Sequence, residues 1–144
     1  MAVSRAMRRL LQVLEIQEEE CRAAMELARA ELRQLNQALT WNMARERGGR
    51  QLVADSAVTG ETADRIAGME EARTATRIAA ALGQRIAEAQ LAVNARQHEF
   101  LGRRVERLQT KTLIEEAEAV DRTEAARRSQ RDLDDWFLGR RSTP

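Results

Sequence analysis

The chain has 144 residues, enough for one domain, and its composition excludes an ordinary globular interior. It has no Tyr, two Phe, two Trp and one Pro, while 33% of its residues are charged, a mixture typical of long helices and too poor in aromatics to fill a thick core. Lys plus Arg number 24 against 23 Asp plus Glu, a formal charge of +1; the interleaved signs suit a solvated, ion-paired helix surface and not a nucleic-acid footprint.

The first element is predicted over about residues 3–47. From Met7 the apolar residues alternate at four and three: Met7, Leu11, Leu14, Glu18, Cys21, Met25, Ala28, Leu32, Leu35, Leu39, Asn42, with only Glu18 and Asn42 polar. This is the 3.5-residue repeat of a coiled-coil seam. Arg5, Arg8 and Arg9 interrupt the apolar residues at its start and the run Glu18-Glu19-Glu20 follows. Neither a secretory leader nor a membrane span is therefore expected, and the acidic run argues against binding of nucleic acid or anionic lipid. Arg45 and Arg47 suit a helix C-terminus, and Gly48 and Gly49 after them are expected to end it.

Residues 48–61 read as a turn region rich in helix breakers, with room for a short helical turn between Gln51 and Val58. A second helix is predicted over about residues 62–138, with Thr62 as N-cap and Asp64 in the first turn. Its seam reads Ala75, Ala79, Leu82, Ile86, Ala89, Val93 and Phe100, then slips by one to Leu101, Val105 and Leu108, as a stutter would. Gly68, Gly83 and Gly102 inside it mark flexible spots or close helix approach, each costing about 1 kcal/mol against Ala. At 1.5 Å per residue the two helices would span about 70 Å and about 115 Å. The expected fold is thus all-α: one elongated domain over residues 1–144, a long antiparallel two-helix coiled-coil hairpin. Its C-terminal helical overhang, roughly residues 109–138, would lack a partner in its own chain.

No catalytic, cofactor or metal site is expected. The only His, His98, and the only Cys, Cys21, give too few ligands for zinc, exclude an intrachain disulfide and fit a reducing compartment. A Cys21–His98 pair would have to form without a pocket. Adjacent acids in Glu18-Glu19-Glu20 and Glu115-Glu116 diverge on a helix and stay solvated, and Gly48-Gly49-Arg50 lacks the spacing of a phosphate loop. Two features point instead to protein contacts. Trp41 lies on a flank of the seam, either capping the hairpin core or offering an exposed contact. The segment 127–141 crowds arginines and aspartates around Leu133, Trp136, Phe137 and Leu138, and a terminal helix has no reason to expose such a cluster unless something covers it.

The layout, together with the ending Arg127-Arg128-Ser129-Gln130-Arg131-Asp132-Leu133-Asp134-Asp135-Trp136, resembles the central stalk proteins of bacterial type III secretion. These are the flagellar FliJ group and its injectisome counterparts, the YscO or SctO group, and the Leu-Asp-Asp-Trp wording looks more like the injectisome branch. The resemblance implies an antiparallel coiled coil similar to the stalk of rotary ATPases. Its end carrying both termini would enter a hexameric export ATPase and promote its assembly and hydrolysis. It implies ATPase contacts at Arg127, Arg128, Gln130, Arg131, Asp134, Asp135 and Trp136. Contacts to the export-gate membrane protein and to export chaperones would fall around Leu35, Leu39 and Trp41, although this chain has Ala38 and Asn42 where the flagellar pattern has tyrosines. Such a protein is not an enzyme, binds no cofactor, and is expected to be a monomer when isolated. It would be cytoplasmic, peripherally associated with the inner-membrane export apparatus. Two alternatives come from the heptads alone: a generic structural or dimeric coiled-coil scaffold, and a coiled-coil holding chaperone.

Overall fold

Ala, Leu, Arg, Glu and Gln dominate the chain, and these residues lose little freedom in a helix. In a computed structural model, which describes residue 3 and residues 5–141, they form two long helices packed against each other. Helix α1 runs Arg5–Thr59 (55 residues) and α2 runs Thr62–Arg141 (80 residues). The described residues contain no strand, and none of their helices is long and apolar enough to cross a membrane. Packing divides the chain into two units, Cys21–Glu99 and Met1–Glu20 with Phe100–Pro144.

In the unit Cys21–Glu99, the core is a cluster of Leu35, Leu82 and Ala89, with Leu32, Ala38, Leu39 and Ile86 packed against it. Met25, Ala75 and Val93 are also buried. The polar seam position Asn42 is buried and satisfied: its Nδ2 donates to the Ala38 carbonyl at 2.9 Å, and its Oδ1 accepts from Arg45 Nη1 at 3.5 Å. Buried Ser56 likewise donates through Oγ to the Val53 carbonyl at 2.7 Å.

The expected turn over 48–61 is overturned here. Helix α1 passes through Gly48 and Gly49 without a break and reaches Thr59. The reason is a close approach of the two backbones. A methyl group added at Gly49 would lie 2.7 Å from the Gly68 carbonyl oxygen and 2.8 Å from the Ala72 nitrogen. One added at Gly68 would lie 2.6 Å from the Gly49 carbonyl oxygen. Each glycine is present because nothing larger fits, and the contact offsets its low helix propensity. Gly48, Gly83 and Gly102 have nothing within 4 Å of such a methyl, so the close approach foreseen for α2 is found at Gly68 alone of its three early glycines.

The reversal takes only Gly60 and Glu61. Gly60 has φ +76°, the left-handed conformation that closes a helix, and its N–H donates to the Ser56 carbonyl at 2.8 Å. The Glu61 carbonyl accepts from the Arg65 N–H at 3.2 Å, which makes Glu61, not Thr62, the N-cap of α2. The Glu61 carboxyl is pushed above its usual range, chiefly by a hydrogen bond with the Asp64 side chain and by that group's charge.

In the unit Met1–Glu20 with Phe100–Pro144, Leu14, Glu18, Phe100 and Ile114 are buried. The expected slip of register in α2 does not occur. Past Phe100 the covered positions continue at three and four through Arg103, Arg107, Thr110, Ile114, Ala117 and Asp121. Leu101, Val105 and Leu108 remain exposed. Glu18 settles this choice. It is 4% exposed, and Arg107 donates to both of its carboxylate oxygens, through Nε to Oε2 and through Nη2 to Oε1 at 3.5 Å. A buried carboxylate requires such a partner, and the unslipped register sets Arg107 against it. Further along, Arg8 Nη2 reaches Glu118 Oε1 at 3.4 Å.

Candidate functional site

The last residue of α2 with partial cover is Asp121; residues 122–141 are all exposed. The uncovered stretch is therefore shorter than the expected 109–138, because α1 reaches back to Arg5 from a turn placed at 60–61. It still amounts to about 30 Å of helix.

All seven residues assigned to ATPase contact lie on this stretch. Helical periodicity divides them. Arg127, Arg131 and Asp134 follow one another at four and three, with Arg128 and Asp135 beside them and Gln130 on the other border of the same arc. The Gln130 side-chain amide donates to Asp134 Oδ1 at 3.0 Å, holding one carboxylate in place, and among the described residues no ion pair involves Arg127, Arg128 or Arg131. Trp136 stands apart on the opposite side, aligned with Leu133 and Arg140. Its ring meets that of Phe137 edge-on, with centroids 5.1 Å apart and planes at 76°, and the Arg140 guanidinium lies 4.3 Å from its centroid. Trp136 is 52% exposed and Phe137 61%. The aromatic pair is thus braced by a cation over the indole while much of its apolar area faces water, an arrangement that favours contact with another protein. The stretch has a charged arc and an aromatic edge, where the sequence suggested one mixed cluster.

The second assigned group fares differently. Leu35 is part of the core cluster and Leu39 packs against it, so neither offers a docking surface. Trp41 alone is free to do so, at 62% exposed, and it does not cap the hairpin core. Arg45 lies 4.9 Å over its ring and pairs through Nε with Glu71 Oε1 at 2.6 Å. That hydrogen bond raises the Arg45 pKa and lowers that of Glu71 below the ordinary carboxylate range.

Cys21 is half-buried on α1 and His98 is exposed on α2. Among the described residues no group of three or more His, Cys, Asp and Glu side chains is placed to hold a metal ion.

Sequence reasoning missed one surface. Val105, Leu108, Gln109, Thr112, Leu113 and Glu116 line an open, mainly apolar groove of about 540 Å³ on α2. Of these, the sequence pattern assigns Val105 and Leu108 to the seam. The signal that could have placed them outside was Glu18, which needs Arg107 opposite it.

No family model, no curated protein and no solved structure matches this chain.

Proposed function

We propose that this chain is the central stalk of a bacterial type III export apparatus. In this reading the hairpin is an antiparallel coiled coil whose C-terminal stretch enters a hexameric export ATPase and promotes its assembly and hydrolysis. One observation carries the proposal: α2 continues to Arg141 while residues 122–141 are all exposed. A helix polar over most of its circumference and lacking cover persists best when a partner surrounds it. The charged arc of Arg127, Arg128, Arg131, Asp134 and Asp135 suits the inner wall of a ring. Exposed ion pairs contribute only about 0–1 kcal/mol each, so many can form and exchange without locking a moving stalk.

The same reading places the protein in the cytoplasm, peripherally at the inner-membrane export apparatus, where export chaperones and the export-gate membrane protein would be further partners. With Leu35 and Leu39 covered, Trp41 and its Arg45 neighbour are the surface left for them among the residues first assigned.

The test is direct. Adding the purified chain to the cognate export ATPase should raise its hydrolysis rate and hexamer yield. Replacing Arg131, Asp134 and Asp135 together by Ala should abolish the stimulation while helix content by circular dichroism stays within a few per cent. An ATPase whose rate and oligomeric state are both indifferent to the chain removes the proposal. Sedimentation as a dimer would favour the scaffold reading instead.

A further inference from the structure

In the unit that holds residues 100–141, Phe100 and Ile114 are buried, yet the leucines and valines of its α2 segment lie outside. Its covered positions on α2 include Arg103, Arg107, Thr110 and Asp121, whereas Leu101, Val105, Leu108, Leu113 and Val120 are exposed. Leu101, Val105, Leu108 and Thr112 succeed one another at four, three and four, which is the spacing of a second heptad seam on the side of α2 turned away from the first. Exposed apolar residues scattered singly need no explanation, but a contiguous stripe on heptad spacing, whose Val105, Leu108 and Thr112 line a groove of about 540 Å³, does.

The charges beside the stripe differ from one edge to the other. Arg104 and Lys111, one heptad apart, border it on one side; Gln109 and Glu116 border it on the other. Lys111 has only a loose contact with Glu115, at 3.9 Å, and among the described residues no ion pair involves Arg104. A second copy of the chain complements this pattern poorly. Running antiparallel, it would set Arg104 against Lys111. Running parallel, it would offer a carboxylate, Glu116, to Lys111 but only Gln109 to Arg104. A helix of different sequence can place carboxylates at both cationic positions and reach Leu113 as well.

We propose that the stripe Leu101–Val105–Leu108–Thr112 docks one amphipathic helix of a partner protein, apolar on heptad spacing and carrying acidic residues one heptad apart along the flank that faces Arg104 and Lys111. The contact is small and so belongs to the weak, exchangeable class of interfaces. It stands on the geometry of this stripe alone and is independent of any ATPase contact by residues 127–136.

The experiment uses the full chain and two designed fluorescein-labelled helical peptides of about four heptads, with Leu at the seam positions. They differ only in carrying Glu or Lys along one flank. Fluorescence anisotropy should show the Glu-flanked peptide binding about tenfold more tightly than the Lys-flanked one. The double variant Arg104→Glu with Lys111→Glu should reverse that preference. Leu108→Ser should weaken both by about tenfold with helix content unchanged, since Leu108 is exposed. Equal affinity for the two peptides, or no binding of either, would overturn the proposal. It would also fail if the chain sedimented as a dimer that Leu108→Ser dissolves, or if phosphatidylserine vesicles bound the chain and displaced the peptide.

Discussion

The two units use the same spacing of covered residues, but the second sets an ion pair among its apolar ones. In Cys21–Glu99 the covered positions are Met25, Leu35, Ala75, Leu82, Ala89 and Val93, closed near the turn by the backbone contact of Gly49 with Gly68. In the unit containing residues 100–141, Leu14, Phe100 and Ile114 are buried too, but the Glu18 carboxylate and Arg107 sit among them, while Leu101, Val105 and Leu108 lie outside. The first arrangement removes apolar area from water and is stabilising by the hydrophobic effect. In the second the ion pair itself adds little to that, because desolvating Glu18 and Arg107 roughly offsets their attraction. What it gains is a defined register, since a slip by one residue would strand Glu18 away from its arginine. Apolar stripes are interchangeable between registers; a buried ion pair is not.

This contrast can be attacked in order of expected effect. Gly49→Ala forces a methyl against the Gly68 carbonyl, where only backbone movement can make room, and should cost about 3 kcal/mol in urea denaturation. Gly48→Ala, one position earlier with open space around it, should instead stabilise by about 1 kcal/mol through helix propensity. If both glycines respond alike, the close approach is wrong.

Leu35→Ala in the apolar seam should cost about 3 kcal/mol. Leu108→Ala, the same chemical change on the exposed stripe, should stay within about 0.5 kcal/mol. Equal losses at the two leucines would mean that Leu108 is covered and that the slipped register is the true one.

Arg107→Ala removes the guanidinium that pairs with the buried Glu18 carboxylate and should cost about 2–3 kcal/mol, somewhat under the value for a fully buried pair because the arginine is 22% exposed. Replacing Glu18 and Arg107 together by Leu should recover most of that loss while relaxing the register. Cysteine cross-linking along the two helices would then report more than one pairing.

The smallest effect concerns pH. The Glu71 pKa is lowered by its hydrogen bond to Arg45, so this pair's contribution is fully present above the ordinary carboxylate value. It is lost as pH falls through the lowered value of the folded state. Glu61 has the opposite sign: its raised pKa means that ionising it beside Asp64 costs stability as pH rises from the ordinary carboxylate value through the raised one. Glu71→Gln should flatten the acid limb of thermal stability, and Glu61→Gln should raise stability slightly at neutral pH.

Much of the fold could be read from the chain before any coordinates. Every position of the seam from Met7 to Asn42 is buried or half-buried, the polar Glu18 and Asn42 included, and α2 begins at Thr62. The candidate stretch at 127–136 was legible too, because clustered arginine, aspartate and tryptophan at a chain end need no folded context to be noticed. The placement of Leu35 and Leu39 was half legible. Their spacing marked them as core, and that same spacing is incompatible with the docking role assigned to them.

What the sequence determined by itself was local and periodic: two helices, their first common face, and a polar end to the second. Those properties follow from propensity and from the 3.5-residue repeat, which each segment carries alone. Only the tertiary structure decided that Gly48 and Gly49 stay helical, since the compensating contact comes from Gly68, distant in sequence. It also decided which of two equally spaced stripes on α2 turns inward, because Arg107 is chosen by Glu18 on the other helix. The limit of cover at Asp121 follows from how far α1 reaches back along α2 from the turn at Gly60 and Glu61.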